Sequence, residues 1–78
     1  MAKISVAGAG SWGTALAILL HDNGHEVILW SALKDEVSML SEKREHESKL
    51  PGAKIPEEIA ITDDLETTLK DRDLIVLA

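Results

Sequence analysis

Apolar positions follow two rhythms along this chain. Short, mostly apolar runs occur at residues 4–7, 27–30, 59–61 and 74–78, and between them apolar residues recur at three- and four-residue spacing. The first rhythm suits strands buried on both faces, the second helices with one buried stripe. The pattern predicts strands over residues 3–7, 26–30, 59–62 and 73–78, and helices over 11–23, 34–47 and 65–70. In the first helix Trp12, Leu16, Leu19, Leu20 and Asn23 share helical spacing, and Ala15 and Ala17 allow close approach to a sheet. Gly24 is the expected left-handed residue just past its end. The second helix turns Val37, Leu40 and Met39 inward. Its charged face holds Asp35, Glu36, Glu42, Lys43, Arg44, Glu45 and Glu47, with His46 expected to be exposed among them. Residues 49–56, broken by Pro51-Gly52 and Pro56, read as a loop. The 59–62 strand belongs at an edge. Asp63 and Glu66 are spaced as a capping box for the third helix. The last strand is apolar throughout, which predicts a central position.

Between the first strand and the first helix stands Gly8-Ala9-Gly10-Ser11-Trp12-Gly13. This is G-x-G-x-x-G in strand–turn–helix context, the setting in which the spacing indicates a dinucleotide site. Gly8 allows the tight turn, Gly10 lets a pyrophosphate approach the backbone, and Gly13 lets the helix pack on the strand. N–H groups of the first helical turn and the helix dipole then face the phosphates. Alternation of strands and helices predicts the α/β class: a Rossmann-like parallel sheet with crossover helices, ordered third-second-first-fourth. Because the chain stops on the apolar run of a strand, the expectation is the first half of a larger doubly wound domain.

Composition narrows the picture. Seventy-eight residues make one domain at most, and a marginally stable one by itself. With two Trp and no Phe or Tyr, the core must be aliphatic. The absence of Cys removes disulfides and thiolate chemistry, as expected in a reducing cytoplasm. A net charge of −6 argues against a nucleic-acid partner, which wants a basic stripe. No run approaches the ~20 apolar residues of a membrane span, and the start shows no signal-peptide pattern. The expectation is a cytoplasmic chain without membrane insertion. The adjacent Asp63 and Asp64 suit helix capping better than a metal or acid–base pair, since neither has a histidine near in sequence. His21, in the last turn of its helix, reads as a solvated side chain, and no catalytic or metal constellation stands out.

Further motifs line up in order: Asn23-Gly24-His25-Glu26-Val27, Leu29-Trp30, Leu50-Pro51-Gly52, Ile55-Pro56, Thr62-Asp63-Asp64-Leu65 and Asp73-Leu74-Ile75-Val76-Leu77-Ala78. With the glycine turn they resemble the N-terminal part of bacterial NAD(P)-dependent glycerol-3-phosphate dehydrogenases, over essentially the whole chain. The resemblance implies a cofactor-binding segment over residues 1–78, with NADPH or NADH as cofactor. The full enzyme would interconvert sn-glycerol 3-phosphate and dihydroxyacetone phosphate for phospholipid synthesis. The catalytic lysine and the site for the small phosphorylated substrate would lie beyond Ala78, leaving this segment inactive alone. Position by position, Gly8, Ala9, Gly10, Ser11, Trp12 and Gly13 match the cofactor turn. Ser11 offers its hydroxyl and N–H to a phosphate, and Trp12 either covers the cofactor or packs in the core. Ser31, Ala32, Leu33 and Lys34 occupy the loop that would meet the adenosine ribose. Relatives usually carry a basic pair where Ala32 and Leu33 stand, and Ser31 stands where an acid would bind the ribose of NAD. Lys34 is the nearest cation able to meet a 2′-phosphate, as a point charge. Lys49 faces the cofactor or solvent.

Two other readings fit the same residues. Other two-domain dehydrogenases, of the hydroxy-acid or sugar type, begin with a similar unit. A non-catalytic dinucleotide-sensing module would also be short and lack a catalytic constellation. In every case an unpaired sheet edge invites self-association.

Overall fold

The computed structural model describes residues 1–47 and 49–78. Its first strand, β1 (Lys3–Ala7), buries Ile4, Ser5 and Val6. Residues 8–10 turn the chain into α1 (Ser11–Asp22), which returns it as β2 (Glu26–Trp30). The two strands are parallel, with Lys3 opposite Glu26 and Ala7 opposite Trp30. After α2 (Lys34–Lys43) come the antiparallel strands β3 (Glu45–His46) and β4 (Leu50–Lys54). The chain finishes with β5 (Ala60–Thr62), α3 (Leu65–Leu69) and β6 (Leu74–Leu77). The parallel sheet has the order β5-β2-β1-β6, as expected of the third, second, first and fourth parallel strands.

Pleating sends alternate residues to opposite faces. Ile4 and Val6 stand opposite Val27 and Leu29, so all four point to one face, while Ser5 and Ile28 point to the other. Val6, Val27 and Leu29 join Ala17 of α1, Leu40 of α2, Ile55 and Ile59 in one buried aliphatic cluster. On the opposite face the fully buried Ser5 hydroxyl donates to the Thr68 carbonyl at 2.6 Å, tying α3 to the sheet.

The structure departs from the sequence pattern at four places. In α1 the buried residues are Gly13, Thr14 and Ala17, while Trp12, Ala15 and Leu19 are exposed and Leu16 and Leu20 are half-buried. Gly13, Thr14 and Ala17 line the closest approach to the sheet, and Leu16, Ile18 and Leu20 pack against the core beside them. The second helix stops at Lys43, because Arg44 adopts a left-handed conformation at φ 52°. That conformation costs about 1–2 kcal/mol, offset by tertiary bonds: Arg44 Nη2 donates to the carbonyls of Pro56 (2.5 Å) and Ile59 (2.7 Å), and its own carbonyl accepts from Ile55 N–H. Residues beyond Arg44, expected to be helix and loop, instead supply β3 and β4, and His46 is buried, at 2% exposure. Asp64, not Asp63, caps α3: it accepts from the Thr67 hydroxyl, and after it from the Glu66 N–H, which hold its carboxyl below the usual range. Beside these, β6 pairs with β1 from Ile4–Leu74 to Ala7–Leu77, and Leu74, Ile75 and Leu77 are exposed in this segment.

Candidate functional site

The site is built where β1 and β2 end side by side. Gly8 N–H donates to the Trp30 carbonyl at 2.9 Å, so the glycine turn and the loop leaving β2 share one crevice at the carboxyl end of the sheet. Ligands of open parallel sheets bind in such a crevice. Gly8 sits at φ +130°, a region L side chains rarely adopt. A Cβ on Gly13 would collide with the Gly8 carbonyl oxygen, so its lack of a side chain is what lets α1 begin this close to the turn. Gly10 differs: its φ is −72°, and a Cβ there would meet nothing within 4 Å. It therefore borders open space, at the N-cap of a helix with no side-chain cap. The first N–H groups of any helix lack intrahelical partners, and here no capping side chain covers them. Thr14 secures the start of the helix, its N–H donating to Gly10 O at 3.0 Å and its hydroxyl to Ala9 O at 3.3 Å.

Ser11 and Trp12 are exposed on this first turn, and Trp12 is 63% exposed. Trp12 therefore stands outside the aliphatic core formed by the described residues. Across the crevice Ser31 is 3% exposed and bonded within its own loop: its hydroxyl donates to Glu36 Oε1 at 2.6 Å and accepts from Leu33 N–H at 3.1 Å. Ala32 and Leu33 are exposed. Lys34 extends into solvent, 88% exposed, with its ammonium 3.1 Å from Asp63 Oδ2. Lys49 is exposed just before β4, and its charge reaches Glu36. The structure thus brings the turn and residues 31–34 together.

Sequence reasoning missed Glu36, His46 and Asp63 as parts of this neighbourhood. Glu36, 15% exposed, holds Ser31 with one oxygen and His46 Nε2 with the other at 3.0 Å. Burial by itself would raise its carboxyl, but the hydrogen bonds from Ser31 and His46, with the positive charge of His46 and Lys49, hold it below its ordinary value. The only trace in the sequence is a serine three residues before the helical pattern, able to bond backbone two positions on. A cavity of about 300 Å³ lined by Met1, His21, His25, Glu26 and Glu58 opens at the amino ends of the strands, away from this crevice. Among the described residues no group of three or more His, Cys, Asp or Glu could hold a metal, and no helix is long and apolar enough to cross a membrane.

A sequence model described as the N-terminus of NAD-dependent glycerol-3-phosphate dehydrogenase matches residues 3–78. This chain belongs to that family. It is 51% identical, over all 78 residues, to a glycerol-3-phosphate dehydrogenase (NAD(P)+) of Agathobacter rectalis, and 49% identical to one of Fusobacterium nucleatum. It spans 23% of the length of each of these curated relatives. The crystal structure of glycerol-3-phosphate dehydrogenase from Coxiella burnetii superposes on 97% of this chain with a TM-score of 0.89 and 36% identity, again over 23% of that protein. The glycerol-3-phosphate dehydrogenase family thus shares the α/β sheet, and the glycine turn lies within the matched residues.

Proposed function

We propose that the turn from Gly8 to Gly13 holds the pyrophosphate of a nicotinamide dinucleotide. On this reading residues 1–78 are the cofactor-binding segment of an NAD(P)-dependent glycerol-3-phosphate dehydrogenase. The observation that carries it is Gly10: of the three glycines of the turn it is the one where a side chain would meet nothing, and it is where a phosphate must reach the uncapped start of α1. Ala9 and Gly10 form the wall against the pyrophosphate, and the Ser11 hydroxyl and first-turn N–H groups donate to its oxygens. Trp12 stands exposed beside them, available to cover the bound molecule. When bound, the dinucleotide supplies the hydride. The chain's own residues bind and orient it.

The full-length protein would interconvert sn-glycerol 3-phosphate and dihydroxyacetone phosphate, feeding glycerophospholipid synthesis in the cytoplasm. The chemistry and the site for the phosphorylated substrate belong to a further domain of that protein. Support comes from the family match and from the length of the relatives, of which this chain spans 23%. The test is a titration of the full-length protein with NADH and NADPH, followed by tryptophan fluorescence. Saturable binding is expected, and Gly10→Ala should weaken it at least about tenfold while costing under about 1 kcal/mol of stability, the loss of a glycine N-cap. Unchanged binding in Gly10→Ala would remove the pyrophosphate from this turn. Reduction of dihydroxyacetone phosphate by the full-length protein tests the substrate, and turnover of 6-phosphogluconate instead would replace it.

A further inference from the structure

Whether this crevice takes a dinucleotide with a free 2′-hydroxyl or a 2′-phosphate depends on what residues 31–36 offer the adenosine ribose, and the question rests on the proposed dinucleotide site. In parallel folds of this type the ribose lies at the end of the second strand, where an acid binds a hydroxyl or an arginine binds a phosphate. Neither residue type is at the strand end here. Ser31 stands there, and a serine hydroxyl has one donor and two accepting lone pairs. Its donor is committed to Glu36 Oε1 at 2.6 Å, and one lone pair to Leu33 N–H at 3.1 Å. What remains is one accepting lone pair on the floor of the loop. A ribose 2′-hydroxyl can donate to it, whereas an ionised phosphate has no proton to give.

Charge acts in the same direction. Ala32 and Leu33 have no charged side chain, and the Lys34 ammonium is 3.1 Å from Asp63 Oδ2. Glu36 lies directly beneath Ser31, and Asp35 is exposed next to it on the first turn of α2. Against these three acids stand Lys34, Lys49 and His46, and His46 is itself bonded to Glu36. A 2′-phosphate would therefore bring about two negative charges to a loop whose nearest cation already has a carboxylate.

We propose that the Ser31–Glu36 hydrogen bond and the Lys34–Asp63 ion pair together make this crevice select NADH over NADPH, with Asp63 a specificity-determining residue that acts through Lys34. The full-length protein is titrated with NADH and with NADPH at low and at physiological salt. NADH should bind at least about tenfold more tightly, the scale of one charged hydrogen bond. Asp63→Asn releases Lys34 and should tighten NADPH about two- to fivefold, the range of an exposed ion pair, with NADH unchanged and the gain fading as salt rises. Lys34→Ala in the Asp63→Asn background should erase that gain. NADPH binding as tight as NADH, or an unaltered ratio in a folded Asp63→Asn variant, overturns the proposal while leaving the dinucleotide site in place. Failure of both dinucleotides to saturate overturns the proposal and the site together.

Discussion

Replacing Gly13 by Ala tests the packing that creates the crevice. Alanine is the better helix former, by about 1 kcal/mol in a helix interior. A propensity argument therefore predicts a more stable protein. The structure predicts the reverse. The new Cβ would lie on the Gly8 carbonyl oxygen and within 3.2 Å of the Ala78 Cβ. Gly8 cannot yield easily, because its N–H is bonded to Trp30 O at 2.9 Å and its φ of +130° is already confined to glycine. The remaining way out is for α1 to retreat from the sheet, loosening Thr14 and Ala17, both fully buried. Overpacking of this kind costs about 1–3 kcal/mol and more when backbone is the obstacle. After the propensity gain, a net loss of about 2 kcal/mol is expected, a large share of the roughly 4–12 kcal/mol available to a unit of this size. Urea unfolding followed by far-UV circular dichroism should show the midpoint falling by about 1 M. A Gly13→Ala protein with an equal or higher midpoint would refute the contact between helix and turn.

Other parts of the fold give sharper or broader tests. Arg72, with its side chain 5% exposed, donates to the carbonyls of Ile4 (2.9 Å) and Glu26 (3.1 Å) and to the Glu26 carboxylate (3.0 Å). Arg72→Met should cost about 2–3 kcal/mol in urea unfolding by leaving these acceptors without a donor, the Glu26 share discounted for its exposure. Glu36 has a folded-state pKa below its ordinary value of 4.5. Its contribution is therefore fully present above that value and lost as the pH falls through the lower, folded one. The unfolding midpoint should drop as the pH falls below the ordinary value of 4.5, and Glu36→Gln should flatten the slope. Asp64, and Glu45 with its bonds from Gly52 N–H and Lys54, are depressed in the same direction, so some slope must persist in that variant. The open edge at β6 exposes Leu74, Ile75 and Leu77. In the 78-residue chain it should support concentration-dependent self-association in sedimentation, relieved by Leu77→Lys; a monomer at every concentration would count against that.

Local signals were sufficient for much of this. Glycines at 8, 10 and 13 between an apolar run and a helical pattern mark the strand-to-helix turn, because Gly8 supplies the positive φ and Gly13 the close packing of the helix on the turn. Strand order followed from the same unit. By contrast, Arg44 and His46 looked like solvated helix because nothing nearby interrupts the helical pattern. The helix is ended by carbonyls of Pro56 and Ile59, more than ten residues away. His46 is buried because Glu36, ten residues earlier, supplies its partner. Asp63 and Asp64 are chemically alike and adjacent, so the sequence does not separate them; in the structure Asp64 caps α3 and Asp63 pairs with Lys34, which is distant in sequence.

What the sequence determined by itself is the βαβ frame, its parallel order and the identity of the glycine turn, since each rests on backbone freedom and on periodicities of two and 3.6 residues read within a short window. What only the tertiary structure decided is which face of α1 meets the sheet, where α2 stops, and which charges crowd residues 31–36 at the end of β2. Those depend on side chains brought together from distant positions, and a buried or paired charge is set by its neighbours in space rather than by its neighbours along the chain.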